Sequence, residues 1–133
     1  MNTVFVDTVY LVALLNPRDE FHKAAVAAAS AFNGRMVTTA WVIAEVASQL
    51  SRPPNRAAFL ALLRDLQSDD RVDIIPPDRG HYDRGLRLYA ERSDKEWSLI
   101  DCISFVVMDE NGLGEALTAD HHFEQAGYSA LMR

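Results

Sequence analysis

The sequence predicts an α/β fold, a central and mainly parallel β-sheet flanked by helices on both faces, within one domain spanning residues 1–133. Three observations predict it. Short β-branched runs alternate along the chain with longer runs of helical period, an order that calls for right-handed crossovers between parallel strands. The turn-forming pairs Asn16-Pro17, Asn33-Gly34, Pro53-Pro54, Pro76-Pro77 and Asn111-Gly112 fall at the joints between these runs. With 133 residues, 49% of them hydrophobic and 24% charged, the chain can bury one core and lacks the composition of a disordered or fibrous protein.

In chain order, Asn2 to Val6 is short and β-rich, and Asp7-Thr8 then opens the apolar stretch Val9 to Leu15, read as a helix. Asp19 is placed to cap a second helix running to Phe32, and Arg35 to Thr38 reads as a strand. Ala40 to Leu50 has helical spacing, with Trp41, Val42, Val46 and Leu50 on its inner face and Glu45 within it. Asn55 is expected to cap a helix carrying Phe59, Leu63 and Leu66, and Val72 to Ile75 is a compact strand. Asp78 to Arg92 is helical in period, followed by the polar loop Ser93 to Glu96. Ser98 to Glu110 is apolar nearly all round and should be largely buried. A strand from Glu115 to Ala119, a short helix from Asp120 to Gln125 and a weak strand from Tyr128 to Met132 complete the pattern.

Composition narrows the functional classes. The lone Cys102 permits no internal disulfide and fits a reducing cytoplasm. The apolar N-terminal stretch is broken by Asp7 and carries neither a basic lead nor a cleavage pattern, and no apolar run approaches the roughly 20 residues that cross a bilayer. The expectation is a protein with no membrane association. A net charge of −6 is the wrong sign for holding nucleic acid by a basic surface alone. A polyanion would need a bound divalent cation and a local basic face, for which Arg79, Arg84, Arg87 and Arg92 are candidates, a solvated helix face being their plain alternative.

Four acids stand out. Asp7 follows the first strand and Asp120 the strand ending at Ala119, so both project from the sheet edge where ligands of such folds sit. Each also precedes a helix, where an aspartate serves equally well as an N-cap. Asp101 completes a capping box with Ser98. Glu45 lies on or beside an apolar stripe, where a carboxylate requires a cation, hydrogen-bond donors or water. All four can reach one sheet edge, where a hard divalent cation would neutralise them, and oxygen-only ligands suit Mg2+ or Mn2+. Their spacing is not that of a local metal motif.

The residues around these acids resemble the PIN domain, and especially the VapC-type toxin ribonucleases of bacterial toxin-antitoxin pairs. The resemblance runs over essentially the whole chain, through Val4-Phe5-Val6-Asp7-Thr8, Thr39-Ala40-Trp41-Val42-Ile43-Ala44-Glu45-Val46, Trp97-Ser98-Leu99-Ile100-Asp101-Cys102-Ile103-Ser104-Phe105 and Leu117-Thr118-Ala119-Asp120-His121-His122-Phe123. It implies that Asp7, Glu45, Asp101 and Asp120 are the catalytic, metal-binding acids, with Thr8 and Thr118 as hydroxyls beside the site. It further implies an Mg2+- or Mn2+-dependent endoribonuclease, an RNA substrate with an exposed loop, a small cognate antitoxin and a homodimer. Val9-Tyr10 departs from the small or polar residue usual after the first Asp-Thr pair. His122-Phe123 reads as packing that anchors the site from behind, so His121 and His122 stand outside the catalytic set, and Asp94 and Glu96 read as solvated loop.

Attack by water under metal activation would leave a 5′-phosphate and a 3′-hydroxyl. Phosphotransfer on a related scaffold is disfavoured by residue content. Receiver-type chemistry wants paired acids after the first strand and a late lysine, whereas the only lysines here are Lys23 and Lys95, and Val9 stands where an aspartyl phosphatase has its second Asp. A housekeeping nuclease, or a non-catalytic RNA-binding or dimerisation module, is the remaining alternative.

Overall fold

A computed structural model describes residues 2–133; Met1, which opens the expected domain span, lies outside the described residues. The strands are β1 (Thr3–Val6), β2 (Arg35–Thr39), β3 (Val72–Ile75), β4 (Glu115–Leu117) and β5 (Ser129–Ala130). The helices are α1 (Thr8–Leu15), α2 (His22–Ala31), α3 (Ala40–Gln49), α4 (Asn55–Ser68), α5 (Arg79–Glu91), α6 (Leu99–Glu110) and α7 (His121–Gln125). All strand pairs are parallel, in the order β3-β2-β1-β4-β5. The expected fold class is the one observed.

This order creates the functional crevice. The chain steps outward from β1 to β2 and β3 on one side, then returns across the sheet to add β4 and β5 on the other. Right-handed crossovers therefore put α1–α4 on one face and α5–α7 on the opposite face. The reversal falls between β1 and β4, so their carboxyl ends open a crevice that no crossover covers. β1 is central, and Val4, Phe5 and Val6 are buried as a continuous apolar run, as both-faces-covered strands require.

The core behind the crevice is aromatic. Phe123 of α7 lies edge-on to Phe105 of α6 at 5.0 Å and 6.3 Å from Phe5 of β1, and Trp97 meets Phe105 edge-on at 5.1 Å. Phe123 is fully buried, so the anchoring role read for it holds, and it ties α7 to the central strand. The α5–α6 contact is close at Gly85, where an added Cβ would collide with Ile103 Cγ1 and sit 3.2 Å from Ile103 Cα. Because Ile103 is fully buried and cannot swing away, Gly85→Ala is expected to destabilise the fold by about 1–3 kcal/mol despite its better helix propensity. A chemical-denaturation curve checks this.

Four local expectations change. Asp19 does not cap α2: its Oδ1 accepts from Phe21 N at 2.8 Å in a turn, and the helix begins at His22 behind an uncapped Phe21. Asn55 is the first residue of α4, and no side chain caps that helix. β4 ends at Leu117 and not Ala119, the chain turning at Thr118, whose Oγ1 accepts from Asp120 N and donates to Asp7 Oδ2, and the last strand contracts to Ser129–Ala130.

Candidate metal centre

Of the expected site residues, Asp7, Thr8, Glu45, Asp101 and Asp120 line one crevice, and Thr118 stands behind it. Thr38 Oγ1 donates to Val6 O at 2.8 Å, pinning the end of β1 just before Asp7. Asp7 N donates to Leu117 O at 3.3 Å, which continues the β1–β4 ladder to the acid itself. Asp7 occupies the N-cap position of α1, yet its carboxylate caps nothing. The capping explanation for Asp7 therefore fails, and its carboxylate is left for the crevice.

Thr118 joins two of the acids. Its Oγ1 donates to Asp7 Oδ2 at 2.7 Å and accepts from Asp120 N at 3.0 Å. Asp120 also caps α7 by accepting from His122 N at 2.9 Å. Asp101 forms the capping box that its sequence announces: Ser98 N donates to Asp101 Oδ2 at 3.1 Å and Asp101 N donates to Ser98 Oγ at 3.0 Å. Capping does not exclude a site role here, since both Asp101 and Asp120 also line the crevice. Thr39 Oγ1, accepting from Val42 N at 3.2 Å, caps α3, the helix that carries Glu45. Glu45 is half-buried on the same wall and has no ion-pair partner among the described residues.

The crevice encloses about 400 Å³ and is lined by Asp7, Asp19, Glu20, Glu45, Glu96, Asp101 and Asp120, with no lysine or arginine on its wall. Thr8 also lines it, and its Oγ1 is buried without a hydrogen-bond partner. Burial pushes the Asp7 carboxyl up to about 7; the Thr118 hydrogen bond opposes this, and the negative charge of Asp101 adds to it. Burial likewise raises Asp101, reinforced by the charge of Asp120 and opposed by the hydrogen bonds from Ser98 and His122. This donor set fits a hard divalent cation: it is rich in carboxylate oxygen, has no lysine or arginine to neutralise it, and includes Thr8, whose buried hydroxyl is orphaned.

His122 was not legible as a site residue. Its Nδ1 lies 3.2 Å from Asp101 Oδ2 and 3.4 Å from Asp120 Oδ1, so it faces the crevice while its neighbour Phe123 packs behind. The basic candidates lie elsewhere. Arg79 pairs with Asp83, Arg84 with Glu110 and Arg92 with Asp94, and none of the four arginines lines the crevice.

Fold and acids together describe a parallel α/β nuclease-like scaffold, and the comparison with known proteins agrees. The PIN domain profile matches residues 4–127, and the chain belongs to the PIN domain family. It is similar to the 23S rRNA-specific endonuclease VapC20 of two Mycobacterium tuberculosis strains, 29% identical over 126 residues, which is 94% of this chain and 95% of the relative. The crystal structure of M. tuberculosis VapC20 has the same fold, with a TM-score of 0.85 at 24% identity over 94% of this chain and 95% of that one. FitAcB from Neisseria gonorrhoeae shares the fold at a TM-score of 0.64 and 20% identity over 96% of this chain and 94% of that one.

Proposed function

We propose that residues 1–133 act as one nuclease domain, a divalent-metal-dependent endoribonuclease of the VapC toxin type that works in the cytoplasm. The observation that carries this reading is the buried Asp7 carboxyl, which caps no helix, is raised to about 7 and shares with Asp101 and Asp120 a crevice that no lysine or arginine lines. Asp7, Glu45, Asp101 and Asp120 would hold Mg2+ or Mn2+, and when bound the ion would polarise a phosphodiester and lower the pKa of a water.

The chain's own residues do the remaining work. Thr118 ties the Asp7 carboxylate to the backbone at the start of α7, which sets Asp7 beside Asp120. Thr8, with its unpartnered hydroxyl, would stand beside the ion. Glu45 closes the α3 side. The similarity to a 23S rRNA-specific endonuclease supports RNA as substrate, and a single-stranded loop presents a phosphate to a recessed site more readily than a duplex does. A small antitoxin that covers the acidic crevice and a homodimer belong to the same proposal. For the latter, Tyr82, Leu86 and Tyr89 form an exposed apolar stripe on α5.

The test is incubation of the purified protein with ribosomal RNA. Cleavage is expected in Mn2+ or Mg2+, none in EDTA, and recovery on adding the metal back, with 5′-phosphate ends on the products. Cleavage that survives EDTA, or that is confined to double-stranded DNA, contradicts the proposal. Glu45→Gln is expected to lower the rate at least about tenfold while leaving the melting temperature in EDTA unchanged. Full activity in that variant would make Glu45 a bystander on the crevice wall.

A further inference from the structure

Two adjacent imidazoles stand at the rim of the crevice, and nothing in the nuclease reading uses the outer one. His121 Nδ1 lies 3.7 Å and His122 Nδ1 3.4 Å from the same oxygen, Asp120 Oδ1, and the two rings are 4.5 Å apart. One ligand atom from each of Asp120, His121 and His122 falls within 4.8 Å of the others. The distances to Asp120 are long for N–H···O bonds, which cluster near about 2.9 Å. They are close to the edge of a zinc tetrahedron, which is about 3.4 Å when zinc–nitrogen and zinc–oxygen bonds are about 2.0–2.2 Å. Asp101 Oδ2, on a different helix and 3.2 Å from His122 Nδ1, stands near enough to supply a fourth donor.

We propose that Asp120, His121 and His122 form a transition-metal site of the zinc class at the mouth of the acidic crevice. Two neutral imidazoles with one carboxylate favour zinc, and cobalt as its spectroscopic substitute, over magnesium, which prefers oxygen and gives up its water reluctantly. Because Asp120 belongs to both donor sets, zinc at the rim withdraws it from the crevice and silences the nuclease. Only that silencing rests on the proposed function; metal binding at the rim does not. His121 is the discriminating residue, since its side chain is 58% exposed and does not line the crevice.

The experiment uses the full chain stripped of metal, with Zn2+ titrated calorimetrically in excess Mg2+ and Co2+ followed by its visible absorption. Wild type is expected to bind Zn2+ despite the Mg2+ and to give the intense bands of tetrahedral Co2+. His121→Ala and His121→Gln, checked for an unchanged melting temperature, should bind Zn2+ at least about tenfold more weakly and lose those bands. Both variants should keep Mg2+-supported RNA cleavage and need at least about tenfold more Zn2+ for inhibition. Equal Zn2+ and Co2+ binding in wild type and the His121 variants would place the metal on the carboxylates alone and overturn the site, as would no Zn2+ binding in Mg2+. Zinc that binds without inhibiting would overturn the silencing. If no RNA is cut under any condition the nuclease reading fails, while calorimetry and absorption still decide the rim site.

Discussion

Asp7→Asn is expected to abolish RNA cleavage, with a loss of at least about a hundredfold, and to leave the fold intact. Losing a residue that only orients a metal ligand already costs about 10–100-fold, so losing a buried ligand charge should cost more. The fold should survive because the amide is nearly isosteric. Its oxygen can still accept from Thr118 Oγ1, the bond that holds Asp7 against the start of α7, and no helix cap is lost. Activity like that of wild type in this variant, measured on RNA in Mn2+, would exclude Asp7 from the chemistry.

The second large effect is on the stability of the metal-free protein. The folded Asp7 titrates near 7 and the unfolded one near 3.8, so between these values the folded state keeps a proton that the unfolded state has released. Stability from this group is complete below about pH 4 and is lost as the pH rises through 7, by about 4 kcal/mol at most. Burial of Asp101 acts in the same direction. In EDTA the wild-type melting temperature should therefore fall from pH 5 to pH 8, and Asp7→Asn should flatten that slope and melt several degrees higher at pH 8. Millimolar Mn2+ should reverse the order, because a ligand that binds only the folded state stabilises it and the variant has lost a donor. Asp101→Asn is a less clean probe. Its carboxylate also closes the capping box on Ser98, so losing its charge removes repulsion and weakens the cap at once.

What could be read from the sequence follows from which signals are local. β-branched runs, helical periods and Pro or Gly breakers are local, so the order of strands and helices was readable, and with it the sheet edge that carries Asp7 and Asp120. The capping box at Ser98 and Asp101 was readable for the same reason. The bond from Thr118 to Asp7 joins residues 111 apart in sequence, and only the β1–β4 pairing brings them together. His122 was misplaced because its direction depends on the packing of α7 against α6, which sends Phe123 inward and turns His122 toward Asp101. Asp19 looked like an N-cap from its position alone, whereas the turn through Phe21 uses its carboxylate before the helix starts.

The central claim is that the acidic crevice binds a divalent cation through a carboxylate that is partly protonated near neutrality. The most direct measurement is calorimetric titration of Mn2+ into wild type and Asp7→Asn, in buffers of differing ionisation enthalpy, between pH 6.5 and 8.5. Wild type should bind Mn2+ and release a substantial fraction of a proton at pH 6.5, falling toward none at pH 8.5 as Asp7 empties beforehand. Asp7→Asn should bind far more weakly and show none of the Asp7 proton release. Mn2+ binding of equal strength and equal proton release in the two proteins would contradict the claim, and so would a wild type that binds no Mn2+ at all.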